Sequence, residues 1–218
     1  YLKHYNANAP LLLGYDPGQF SSIVVAQERA LFGRKELKVL KEHFIYYPKS
    51  HADLAEQFND FWGEARKSRT IMLYYDRAGN QTLNTKKQLK MDAERLRKEL
   101  ERYGWQVILM NKNQRTIFHY EHYALCERLF GEEENNTPRV RIDENECPNL
   151  KSAIYLSPVT QRNGYIELDK TSETKVPLQN QAGLTTQIPS ALLYLLFGLY
   201  EKWLPDGVNN ISYLPGSD

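Results

Sequence analysis

The stretch that most constrains this chain is Leu11-Leu12-Leu13-Gly14-Tyr15-Asp16-Pro17-Gly18-Gln19-Phe20-Ser21-Ser22-Ile23-Val24-Val25. Its unbroken apolar start predicts a strand buried on both faces, and the run stops at a carboxylate followed by two residues that break regular structure. A second β-prone run follows at once, so the simplest geometry is a hairpin with Asp16 at its rim. Strands hold side chains more rigidly than loops do, and a hard oxygen fixed at a sheet edge is what a divalent-cation site requires. The plainer reading of Asp-Pro-Gly is ordinary turn chemistry, because all three residue types favour turns.

The order of elements gives this stretch a context. Residues 21–27 and 36–46 read as the second and third strands, joined by a turn at 31–35. Ser50 with Asp53 three positions on resembles a capping box, and Leu54, Ala55, Phe58, Trp62 and Ala65 recur at helical spacing through about residue 67. Thr70-Ile71-Met72-Leu73-Tyr74-Tyr75-Asp76 then repeats the design of the first strand, an apolar run ending in a carboxylate. A strand reached through a helix is normally a parallel, right-handed crossover, which would set Asp16 and Asp76 side by side. Leu89, Ala93, Leu96, Leu100 and Tyr103 mark an amphipathic helix over about 85–103, closed by Gly104. Its polar face carries Lys86 and Lys87 in the first turn, where the helix dipole disfavours cations. Further on come a strand at 105–110, a helix through Phe130, a short strand at 139–142, a helix from Cys147-Pro148 and a tight turn at Asn163-Gly164. Residues 171–186 lack periodicity and read as a mobile loop; the last helix starts near Pro189. Three antiparallel strands, then helix, strand, helix, strand and further helices make an α/β, ribonuclease H-like order: a mixed sheet flanked by helices.

At 218 residues the chain is expected to form a single domain spanning 1–218. Lys plus Arg total 28 against 27 for Asp plus Glu, so a polyanion-binding surface would have to come from local clustering. Cys126 and Cys147 have no paired spacing and no secretory context, so no disulfide is expected. The chain does not begin with Met and lacks a signal-peptide core, so it reads as a piece of a longer protein. Residues 188–204 are apolar but interrupted by Glu201 and Lys202, which predicts a buried helix and no membrane association.

Several carboxylates converging at one sheet edge are what two-metal phosphodiester hydrolysis needs, and Asp16 and Asp76 have the right chemistry. Gly14-Tyr15-Asp16-Pro17-Gly18 with Ser22-Ile23-Val24-Val25 resembles the first acidic motif of the nuclease domain of the large terminase subunit of tailed bacteriophages. Tyr74-Tyr75-Asp76-Arg77-Ala78-Gly79-Asn80 resembles the second, and Gly104-Trp105-Gln106-Val107 the strand that follows. Arg141-Ile142-Asp143 to Cys147-Pro148, Asn163-Gly164-Tyr165-Ile166 and Gln187-Ile188-Pro189-Ser190-Ala191-Leu192-Leu193-Tyr194 resemble the C-terminal portion. The likeness spans nearly the whole chain.

That resemblance implies a metal-dependent endonuclease that cuts concatemeric double-stranded DNA during phage or prophage genome packaging, using Mg²⁺ or Mn²⁺ in a two-metal site held by Asp16 and Asp76. It also implies an ATPase domain upstream of Tyr1, partnership with the portal and the small terminase subunit, and work in the cytoplasm of a bacterial host. The family's closing motif normally supplies a third acid where this chain has Ser190, and a histidine where it has Gln187. Three readings stay open: the site uses only Asp16 and Asp76 with water and phosphate; it recruits another acid such as Asp169 or Glu173; or it binds metal weakly and cuts poorly. Ser190 itself would be a poor ligand for a hard cation, leaving the second metal position weak. Two alternatives stand beside the nuclease: a catalytically impaired domain that grips DNA or docks on the portal, and another ribonuclease H-like nuclease of resolvase or transposase type. Lys86, Lys87, Lys112 and Arg115 are candidate phosphate contacts. His119, His122 and Cys126 have zinc-like spacing but lack a fourth ligand, so a packed helix face is the better account. The pairs Tyr46-Tyr47 and Tyr74-Tyr75 are read as core rather than as base-stacking platforms. His43 and His51 have no partners visible in the sequence.

Overall fold

The computed structural model describes residues 5–64, 66–76, 92–110, 117–132, 136–162 and 165–205. Strand β1 (Leu11–Asp16) is buried at every position, as its unbroken apolar run requires. It lies at the centre of a six-stranded sheet with β2 (Phe20–Leu31), β3 (Arg34–Tyr46), β4 (Thr70–Tyr75), β5 (Gln106–Leu109) and β6 (Arg139–Ile142), in the order β5-β4-β1-β2-β3-β6. β2 runs antiparallel to both β1 and β3, whereas β4 pairs parallel with β1, β5 with β4, and β6 with β3. The first five strands thus take the ribonuclease H-like arrangement, and β6 extends the sheet by one edge strand.

Both faces of the sheet are covered. On one, Leu11, Leu13, Tyr15, Ile23 and Val25 pack against helices α1 (His51–Trp62) and α2 (described over Asp92–Arg102) through Leu54, Phe58, Trp62, Leu96 and Leu100. On the other, Leu12, Val24, Val39 and Tyr74 pack under α6 (Gln187–Tyr200), which is flanked by α3 (His119–Gly131) and α4 (Pro148–Leu156). A two-stranded hairpin, β7 (Val159–Arg162) with β8 (Tyr165–Leu168), and the one-turn helix α5 (Ser172–Lys175) lie between α4 and α6 in the chain. None of the described helices is long and apolar enough to cross a membrane.

Several expectations need correction. β2 and β3 run longer than their apolar cores, because the turn between them tightens to Phe32-Gly33, both at positive φ (50° and 77°). α1 stops at Trp62 instead of near residue 67, with Gly63 donating back to the Asn59 carbonyl; Ala65 lies outside the described residues. The Asp53 carboxylate does accept from the Ser50 amide at 2.7 Å at that helix's start. Residues 171–186 are not a structureless loop. They hold α5 and a 3₁₀ turn at Leu178–Asn180, and the buried Gln181 amide ties them together by donating to the Glu173 and Val176 carbonyls, each at 2.8 Å. Periodicity fails there because the packing is by polar side chains. His43 and His51 have partners that no local pattern shows: Trp62 Nε1 donates to His43 at 3.2 Å, and the Tyr15 hydroxyl meets His51 at 2.8 Å.

The contact that fixes α6 on the sheet is backbone against backbone. A Cβ on Gly14 would lie 1.9 Å from the Ala191 carbonyl oxygen, so only glycine lets the helix settle on β1. Gly14→Ala is expected to cost about 1–3 kcal/mol, the range of overpacking in a filled interior, or more where α6 cannot shift. Urea unfolding midpoints measure this, and an unchanged midpoint would contradict the contact.

Candidate active site

The last residue of β1 is Asp16, paired across the ladder with Ser22 of β2. On its other side Tyr15 is in register with Tyr75 of β4, so Asp76, one step past that strand, comes level with Asp16. Side-chain alternation sends Leu12, Gly14 and Asp16 toward α6, and Tyr74 and Asp76 to the same face. Two acids sixty positions apart in sequence therefore meet at one sheet edge beneath the start of α6.

That end of α6 is lined with hydroxyls. Thr186, Ser190 and Tyr194 recur every four residues and share one face of the helix. Thr186 Oγ1 donates to the Glu173 carboxylate, and the Tyr194 hydroxyl is hydrogen-bonded to Asp16. Ser190 sits between them, 3% exposed, its amide donating to the Thr186 carbonyl at 2.8 Å. Ser22 Oγ reaches the Gln187 carbonyl at 3.1 Å and pins the helix start to β2. The hydroxyl row therefore runs from one carboxylate, Glu173, to another, Asp16.

Burial dominates the electrostatics. It raises the Asp16 carboxyl from an ordinary 3.8 to about 8; Lys170 opposes the shift, while Glu173 and Asp76 add to it. Tyr194 is pushed far above the usual phenol range, first by burial and then by the charges of Asp16, Asp76 and Glu173. Three carboxylates and one ammonium thus act on a site closed to water on the α6 side.

This donor set suits a hard divalent cation: Asp16 and Asp76 offer carboxylate oxygen from rigid strand ends, and Glu173 stands near enough to act on the charge of Asp16. Among the described residues no three His, Cys, Asp or Glu side chains converge at ligating distance. Glu173 acts on Asp16 through charge and is held by Thr186. Asp169 does not join the cluster. Its carboxylate accepts from the Thr171 amide at 2.8 Å, and it is not among the charges that act on Asp16. Lys86, Lys87, Lys112 and Arg115 lie outside the described residues.

The rival sites resolve into packing. His122 is buried with its ring 5.8 Å from that of Tyr194 and 5.6 Å from that of Phe197, and burial lifts the Cys126 thiol to about 12. Tyr74 and Tyr75 are core, whereas Tyr47 is 71% exposed and Tyr46 lies at the surface. Both cysteines are free. A cleft of about 510 Å³ between α1, β3 and the turn before α4 is lined by Lys41, Asp60, Phe61 and Glu146, and none of the clustered carboxylates reaches it. Lys170 and Thr186 escape sequence reasoning, and Tyr194 enters it only as part of a motif. The available signal was a hydroxyl every fourth residue in an otherwise apolar helix.

Comparison with known proteins adds little to this site. No protein-family model and no curated protein matches the sequence. Among solved structures the chain is similar to the Thermus thermophilus RuvC structure, with a TM-score of 0.34 and 10% sequence identity over 88% of this chain and 96% of that one. A likeness this loose says nothing of activity, which rests on the residues themselves.

The raised Asp16 carboxyl fixes the sign of a pH effect. Between about 4 and about 8 the folded chain holds a proton that the unfolded chain has released, so in the absence of metal Asp16 lowers stability progressively as pH rises through that window. Asp16→Asn is therefore expected to unfold at higher denaturant than the wild type at pH 8 in EDTA, by several kcal/mol at about 1.4 kcal/mol per pK unit. The gain should shrink toward pH 5. A variant less stable than wild type at pH 8 would show that the carboxylate is not desolvated.

Proposed function

We propose that this chain is a divalent-metal-dependent DNA endonuclease of the ribonuclease H-like type, acting as the nuclease domain of a phage or prophage terminase. The observation that carries the reading is the meeting of Asp16 and Asp76 at the ends of two adjacent parallel strands, with Glu173 close by and α6 closing the site. Asp16 and Asp76 would hold Mg²⁺ or Mn²⁺, with Glu173 as the third carboxylate in place of the acid absent at Ser190. When bound, the metal supplies positive charge for the scissile phosphate and a more acidic water.

The chain's own groups do the rest. The Tyr194 hydroxyl fixes the Asp16 carboxyl against the helix, and the β1–β4 ladder sets its distance from Asp76. Burial under α6 strengthens every charge interaction at this edge. Metal binding requires Asp16 to give up the proton it retains up to about pH 8, so affinity should rise with pH across the neutral range.

The substrate in this reading is concatemeric double-stranded DNA. The ATPase half of the motor would precede Tyr1, with the portal and the small terminase subunit as partners in a bacterial host. A catalytically impaired DNA-gripping or portal-docking domain is the second reading, favoured by Ser190 and by the absence of three ligands at bonding distance among the described residues. A ribonuclease H-like resolvase or transposase would share the same residues.

Nicking of supercoiled plasmid in Mn²⁺ tests the proposal. Asp16→Asn and Asp76→Asn should each lose activity by at least about a hundredfold and Glu173→Gln by about tenfold, as expected when a group that places the metal is removed. Undiminished cutting by Asp16→Asn would overturn the assignment. A wild type that binds duplex DNA but neither cuts it nor binds Mn²⁺ would favour the docking module.

A further inference from the structure

The outer edge of β3 is only partly covered. β6 pairs with it over Glu36 to Val39 and goes no further. Past that point the Asp143 amide meets the Val39 carbonyl at 3.0 Å, and the Glu42 amide meets the Glu146 carbonyl at 3.4 Å. The second bond shows that Glu42 turns its main-chain groups away from β2, and the alternation of an antiparallel ladder turns those of Phe44 the same way. The Glu42 carbonyl and the Phe44 N–H and carbonyl therefore face outward with no hydrogen-bond partner among the described residues.

The cleft of about 510 Å³ lies along this bare edge, between Asp60 and Phe61 of α1 and Glu146 and Asn149 around the start of α4. Its walls are held without any ligand. The Glu42 carboxylate accepts from the Asn149 and Leu150 amides at 2.9 and 2.6 Å, which fixes the start of α4. Lys41 Nζ lies 2.6 Å from Glu146 Oε2 and 4.7 Å from the centre of the Phe61 ring. His43 also lines the cleft, only 4% exposed, and its Nε2 accepts from Trp62 Nε1 at 3.2 Å. The ring proton is then on Nδ1, a buried donor with no partner among the described residues. Charge narrows the occupant. Lys41 stands against Glu42, Asp60 and Glu146, and Asp60 is the one of these carboxylates that makes no hydrogen bond or ion pair among the described residues. Such a lining repels phosphate and attracts a cation.

We infer that this cleft is a docking slot for an extended, basic segment of a partner protein, which adds a strand beside β3 where β6 stops and sets a Lys or Arg side chain against Asp60. Main-chain bonds to Phe44 supply affinity in this mode, and the flanking side chains supply specificity. His43 Nδ1 donates to a carbonyl of the incoming segment. The walls on either side leave room for one chain and keep the bare edge from pairing with another sheet. The slot is separate from the candidate active site, and the inference stands whether or not the chain is a nuclease.

Amide exchange and chemical-shift mapping on the isotope-labelled wild type test this, with the blocked peptide acetyl-Val-Arg-Val-Arg-Val-amide as probe. In the free protein the Phe44 amide should exchange fast, whereas those of His43 and Ile45, turned toward β2, should be protected. The peptide should bind with a Kd of about 1 mM or tighter and shift the Phe44 amide. At ten times its Kd it should slow exchange there by about tenfold, as mass action requires. Asp60→Asn should weaken binding roughly threefold, about the worth of one exposed ion pair. The same peptide N-methylated at every residue, and its counterpart acetyl-Val-Glu-Val-Glu-Val-amide, should not bind measurably. A Phe44 amide that the arginine peptide leaves unmoved, or equal binding of either control peptide, would overturn the proposal. So would a short DNA duplex that shifts Phe44 in the peptide's place, since the slot would then be a nucleic-acid contact.

Discussion

The seating of α6 on β1 is the constraint from which the rest of the site follows. Because Gly14 has no side chain, the Ala191 carbonyl comes down onto the strand, and the first turns of the helix are laid across its end. That approach removes water from Asp16, sets the Tyr194 hydroxyl against its carboxyl and brings Thr186 over Glu173. The same closeness is unfavourable for the metal-free fold, since a desolvated carboxyl beside two others cannot ionise cheaply. Such a cost is tolerated only where the surrounding framework is stiff. Here β1 is clamped between paired strands and packed on both faces, with Phe58, Trp62 and Trp105 on one side and the apolar stripe of α6 on the other.

The distribution of cations sharpens the picture. A near-neutral chain can serve a polyanion only by clustering its charges, and one such cluster lies within the described residues. Arg34, Arg139 and Arg141 all act on Glu132, where β3 begins and β6 runs beside it. β3 reaches the level of Asp16 only near Phe44, eight residues beyond Glu36 and its partner Arg139, so the cluster lies about 26 Å away along the strand at 3.3 Å per residue. These arginines brace the sheet edge around one carboxylate and do not surround the candidate active site. Among the described residues, the cation shown to lower the Asp16 carboxyl is Lys170, on the turn before α5.

What the sequence showed clearly was whatever repeats with a short period or ends abruptly. The buried run into Asp16, its echo into Asp76 and the helical spacing of Leu54, Phe58 and Trp62 were sufficient for the strand order, because a crossover through a helix leaves few ways to join two parallel strands. The third carboxylate was harder. Asp169 and Glu173 sit four residues apart on one polar stretch, and nothing local distinguishes them. The choice is made by tertiary contacts: Asp169 turns back onto the Thr171 amide, while Glu173 is drawn to Thr186, the residue that begins a helix placed by Gly14. The partners of His43 and His51 were hidden for the same reason, since Trp62 and Tyr15 reach them across separate elements.

The site's acids stand on supports of unequal stiffness, and this bears on how a cation would sit there. Asp16 ends β1 and Asp76 follows directly on β4, so their separation is set by a parallel ladder that cannot slip by one residue without turning its buried face outward. Glu173 and Lys170 share a short turn held by the side chains of Gln181 and Thr186 and by one backbone bond to Pro158. An acid at position 190 would have been fixed by the α6 backbone as firmly as the strand acids are by theirs. In the proposed site the third acid would be Glu173, which has a longer side chain and a softer anchor than an acid at 190 would have had, with Lys170 three residues away on the same support. The two aspartates would therefore determine where a metal ion sits, and an acid on the turn would follow that position instead of setting it.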